Sequence, residues 1–108
     1  MRAAAVVIVL AGALAGCQKA DRWNSADPIH CLTIFSLASA GAAAKSDTAL
    51  ANDMNARMLR LVQANGGVAW LQQMMPESQR LAAELEASPD KDGARKLFDD
   101  CAARHPAG

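Results

Sequence analysis

The sequence predicts an all-α fold: a small bundle of four helices, or five if Pro76 breaks the third. Three observations lead there. Apolar residues recur at helical spacing through most of the chain, clearest from Leu50 onward. Start and stop signals punctuate that pattern at short intervals: Asp27-Pro28, Ser46-Asp47, Asn65-Gly66-Gly67 and Ser88-Pro89. The composition is 52% hydrophobic but much of that is alanine, and it includes no tyrosine, which suits helices around a modest core.

The first helix is expected to begin at Asp27-Pro28. Asp27 can accept from the free N–H groups of the first turn, and proline fits there because it has no N–H to leave unbonded. Ile29, Cys31, Leu32, Ile34, Phe35, Leu37 and Ala38 cover most of its circumference, so neighbours should bury it on several sides. Ser36, Ser39 and Gly41 allow close approach, and the run fades between Gly41 and Lys45.

Ser46-Asp47 opens the second helix. Leu50, Met54, Met58, Leu61 and Val62 share one face, while Asn52, Asp53, Asn55, Arg57 and Arg60 take the remaining surface. Asn65-Gly66-Gly67 ends it, since these residues accept the left-handed backbone that terminates helices. Val68 to Met75 reads as a shorter helix carrying Val68, Trp70, Leu71, Met74 and Met75. Pro76 removes a helical hydrogen bond, so a break or kink is expected before a further piece through Leu81 and Leu85. The last helix starts between Pro89 and Asp92, buries Ala94, Leu97, Phe98, Cys101 and Ala102, and ends by Pro106.

Ahead of this domain, Leu14-Ala15-Gly16-Cys17 closes an apolar run, Ala3 to Ala15, that follows the basic Arg2. The run is too short to span a bilayer, which takes roughly 20 apolar residues. The motif resembles the lipobox of bacterial lipoprotein signal peptides. The resemblance covers only the first seventeen residues, and the helical domain resembles no family known to us. It implies a signal peptide over residues 1–16, lipidation of Cys17 through a thioether-linked diacylglyceryl group, cleavage before it, and acylation of the new amino group. Anchorage in the membrane through lipidated Cys17 follows, because two or more acyl chains hold stably. Gln18, where an Asp would signal inner-membrane retention, implies the outer membrane facing the periplasm in a Gram-negative cell.

Three cysteines leave one over in an exported chain. With Cys17 lipidated, Cys31 and Cys101 remain as a pair in an oxidising compartment. In an up-down bundle the start of the first helix and the end of the last fall side by side, so the expected fold is a bundle closed by one disulfide, Cys31–Cys101. Residues 17–27 form a lipidated tether spanning at most about 35 Å, and residues 28–105 form the helical domain. Trp23 has two readings: insertion at the lipid–water interface, or docking on the domain.

Three groupings of side chains bear on chemistry. His30, Cys31, Cys101 and His105 offer a zinc-like ligand set, but export favours a disulfide for the two cysteines. Met54, Met58, Met74 and Met75 could bind Cu(I) or form an adaptable groove, although methionine at helical spacing is ordinarily core. Ser88, Asp90, Asp92, Gly93 and Asp99 follow a calcium-loop spacing weakly. Ser88 and Asp99 depart from its usual acids, and Arg95 stands where an apolar residue is usual. No nucleophile–histidine arrangement appears. The expectation is a protein without catalytic residues, metal or cofactor. Eleven basic against eleven acidic residues give no electrostatic case for nucleic acid. The function expected is that of a lipid-anchored envelope protein with a binding or structural domain and an envelope protein as partner. The alternative is a periplasmic inhibitor, immunity factor or stress chaperone.

Overall fold

The computed structural model describes residues 23–108, and within them lie four helices and no strand. They are α1 (Pro28–Ala44), α2 (Thr48–Ala64), α3 (Val68–Ala87) and α4 (Lys91–Arg104). The lipobox, Cys17 and the first part of the tether lie outside the described residues.

α1 is the axis of the bundle and packs against all three other helices. Every residue from Cys31 to Phe35 is buried, which requires cover on all sides of the helix. Its start is fixed as expected. The Asp27 carboxylate accepts from the Ile29 N–H at 3.1 Å, and Pro28 occupies the first turn. Its end is closed by a bond from the Asp47 N–H to the Ala42 carbonyl at 2.8 Å, with Ser46 in the left-handed region at φ 58°.

α2 runs antiparallel to α1, as the Ser39–Asn55 hydrogen bond at 3.0 Å indicates. Asp47 caps it through the Leu50 N–H. Met54, Leu61 and Val62 are buried as the periodicity expects, but Leu50 is 38% exposed. It lies in the first turn, where the chain has only just left α1 and nothing yet covers it. At the other end the Gly67 N–H reaches the Val62 carbonyl at 2.8 Å, with Gly66 at φ 126° and Gly67 at φ 76°. Both angles favour glycine, and this doublet turns the chain directly into α3.

The expected break at Pro76 does not occur, and α3 continues through it. Pro76 and Gln72 are both exposed, so the carbonyl that loses its donor faces water. On the opposite side Leu71 and Met74 before the proline, and Ser78, Leu81 and Leu85 after it, all pack toward the core. Burial on both sides of Pro76 outweighs one lost hydrogen bond.

A buried polar pair ties α3 to α1. The Thr33 hydroxyl donates to the Ile29 carbonyl at 2.7 Å and lies 2.8 Å from the Ser78 hydroxyl. Thr33 has one proton, already given to Ile29, so Ser78 is the donor in the pair.

α4 begins with Asp90 accepting from the Gly93 N–H at 2.9 Å, while the Ser88 hydroxyl accepts from the Asp90 N–H. α4 packs chiefly on α1. Cys101 in its last turn meets Cys31 in the first turn of α1, with a Cα–Cα distance of 5.3 Å and a bonded sulfur pair. Both cysteines are fully buried, and Phe35 meets Phe98 edge-on at 6.4 Å above them in the core. The bundle is therefore all-α, four-helical and closed by one disulfide.

Trp23 is 9% exposed and belongs to the core, so of its two readings the structure selects docking on the domain. The Asn24 N–H donates to His30 Nδ1 at 2.8 Å, and Arg104 Nε donates to the Ser25 hydroxyl at 3.0 Å. Within the described residues, the segment from Trp23 to Asp27 therefore packs on the bundle ahead of Pro28.

Candidate functional site

α1 is covered on all sides over Cys31 to Phe35, but at Ser36 the cover between its neighbours opens. α2 and α3 leave the Gly66-Gly67 turn and touch each other little, although each packs on α1. The wedge between them is an apolar groove of about 340 Å³ with α1 as its floor. Leu32 and Ser36 come from α1, Met58, Leu59 and Val62 from α2, and Val68, Leu71, Met75 and Ser78 from α3. None of these side chains is charged. The Ser78 hydroxyl is already spent on Thr33, which leaves Ser36 as the polar side chain free to face a ligand.

Exposure marks this groove as more than a packing gap. Leu59 is 59% exposed, Val68 67% and Met75 41%, and all three line it. Large apolar side chains gathered on one concave surface are the usual signature of a binding site. The four methionines considered from sequence divide here. Met58 and Met75 line the groove, Met54 is core at 1% exposure, and Met74 packs against the core. The four thioethers do not form a common site. Leu59 and Val68 carry no periodic signal that separates them from ordinary surface residues, so sequence reasoning passed over them as site residues.

The cysteines of the zinc-like set are joined to each other, which removes both thiolates from metal binding. His30 accepts from the Asn24 backbone, and His105 meets the Phe35 ring edge-on at 6.4 Å. In the calcium-like spacing, Ser88 and Asp90 instead serve the N-terminus of α4. A Cβ on Gly93 would stand 2.3 Å from the Asp90 carboxylate, so the cap itself accounts for that glycine. Among the described residues, no three His, Cys, Asp or Glu side chains are grouped to hold a metal ion.

Arg57 was expected on the solvent face of α2, and the structure places it between helices. Its guanidinium, 18% exposed, donates to Asp53 at 2.9 Å and to the carbonyls of Ala102 and His105 at 2.7 and 2.9 Å. It thereby satisfies carbonyls that the end of α4 leaves without helical donors. A smaller cleft beside it, about 200 Å³, is lined by Arg60, Leu61, Ala64, Arg104, His105 and Pro106. Arg104 lies in the last turn of α4, where its charge complements the negative end of the helix dipole.

No helix among the described residues is long and apolar enough to cross a membrane. No protein-family model, no curated protein and no solved structure matches this chain.

Proposed function

We propose that this protein is a bacterial envelope lipoprotein, held to the membrane through lipidated Cys17, whose helical domain works by binding rather than by catalysis. The observation that carries the binding half is the groove on α1 between α2 and α3. It is concave and uncharged, and it exposes Leu59, Val68 and Met75 to water. Exposing such side chains costs a folded domain part of its hydrophobic stabilisation, roughly 25 cal/mol for each Å² left in water. A domain this small keeps such a surface at a disadvantage unless something covers it. Support for the anchoring half is the resemblance of Leu14-Ala15-Gly16-Cys17 to a lipobox.

Each half has its own measurement. Intact mass of the protein extracted from membranes should show acyl groups on Cys17 as first residue, and Cys17→Ser should remove them. A chain cut elsewhere with no added mass would reject the anchor. For the groove, a photo-crosslinking residue at position 59 should give a defined adduct, in cells or in the lipidated protein freed of detergent, whereas the same residue at exposed position 95 on α4 should give none in either. Equal or absent labelling at the two positions would reject the groove as the binding surface.

A further inference from the structure

We infer that the groove between α1, α2 and α3 holds an acyl chain, and that this chain is one of those carried by the protein's own Cys17. The inference rests on the lipid anchor proposed above and names what the binding surface takes.

Ligand chemistry follows from the lining. Nine side chains form it, none is charged, and Ser36 alone offers a free hydroxyl. A polar ligand would lose its hydration there and find almost nothing in exchange. An aliphatic chain loses only unfavourable contact with water. Size separates the acyl chain from a partner helix. The groove, about 340 Å³, lies near the bottom of the range of small-ligand pockets, roughly 300–1,000 Å³. A helix with side chains is about 10–12 Å across, too thick to seat there without prising α2 from α3. Along α3 the lining runs from Val68 to Ser78, about 15 Å at helical rise. A lining of that length is on the scale of a hydrocarbon chain.

The source follows from where the chain enters. Trp23 to Asp27 pack at the start of α1, where Asn24 bonds His30 and Ser25 bonds Arg104 at the end of α4. α2 is antiparallel to α1, so its end and the Gly66-Gly67 turn lie at this same end of the bundle. The groove lining begins there, with Val62, Val68, Leu71 and Leu32. From Trp23 back to Cys17 the backbone reaches at most about 20 Å, which keeps an acyl chain on Cys17 close to that end. Attachment through a tether this short also raises its effective concentration far above that of any free lipid.

Within a bilayer the acyl chain already lies in hydrocarbon, and the groove gives it no advantage. Away from the bilayer, the groove covers a chain that water would otherwise contact, and the chain covers Leu59, Val68 and Met75. The device therefore belongs to the protein in transit to its membrane, or released from it.

The test uses lipidated full-length protein with the photo-crosslinking residue at position 59, freed of detergent and irradiated as a monomer. After trypsin, the peptide containing position 59 should be joined to the lipopeptide that begins at Cys17, and its mass should shift by that lipopeptide. Position 68 should behave the same way, and position 95 should give none of this product. An adduct at 59 with free phospholipid or with another protein would overturn the inference while leaving the groove as a binding surface. No adduct at either 59 or 68 would overturn it together with the groove, and a Cys17 without acyl mass would remove its premise.

Discussion

His105 sits where the chain leaves α4, half-buried against the Phe35 ring. Its pKa is held below the ordinary histidine value, first by burial, which disfavours the charged ring, and then by the neighbouring Arg104 charge. In the unfolded chain it would titrate near its usual value of about 6.5. Between that value and the lower folded one, the unfolded state binds more protons. Stability is therefore whole above about pH 6.5 and falls as the pH drops through that window. Denaturant melts from pH 7.5 to 5.5 should show this slope, and His105→Gln should flatten it. An unchanged slope in the variant would assign the effect elsewhere. Glu77 is likewise lowered, chiefly by its hydrogen bond to Arg80, but the pair is solvent-exposed and adds little to the fold. Arg57 contributes by geometry, since it closes the carbonyl end of α4 from a position on α2.

At the scale of elements, α3 departs most from expectation. Its sequence reads as two pieces because proline is the strongest local breaker of a helix, and its tertiary setting joins them. Pro76 is exposed, so its replacement removes a backbone defect without opening a cavity in the core. Pro76→Ala should therefore stabilise the domain by about 1–3 kcal/mol, the upper end being the full propensity difference in a helix interior. A two-state melt that shows destabilisation would mean that a bend at Pro76 is needed to seat Ser78 against Thr33. The pair itself fixes how far α3 slides along α1, since a shift of one residue would take the buried Ser78 hydroxyl from its Thr33 partner.

For the whole molecule the disulfide is the principal closure. It spans a sequence separation of 70 residues, for which loop entropy in the unfolded chain gives about 4.4 kcal/mol. That is comparable with the whole net stability a core of this size supplies, roughly 3–5 kcal/mol. α4 packs chiefly on α1, so the bridge, the Phe35–Phe98 contact and Arg57 together hold it in place. Reduction, or Cys31→Ala with Cys101→Ala, should cost about 2–5 kcal/mol. Hydrogen exchange should find the lost protection concentrated in α4. Uniform loss over all four helices would show that the bridge acts on the bundle as a unit.

Sequence by itself determined the helical class, the four starts and stops, the central burial of α1 and the pairing of Cys31 with Cys101. Each is legible along the chain: apolar spacing, a capping carboxylate, a glycine pair, and one cysteine near each end of the helical run. Only the tertiary structure decided that α3 runs through Pro76, that Trp23 joins the core, that Leu50 does not, and that Arg57 points between helices. Those outcomes turn on which neighbour stands across from a residue, and a periodic pattern records a face without recording its partner. The groove is of the same kind. Leu59, Val68 and Met75 are ordinary helix residues along the chain, and they form a surface because α2 and α3 diverge on α1.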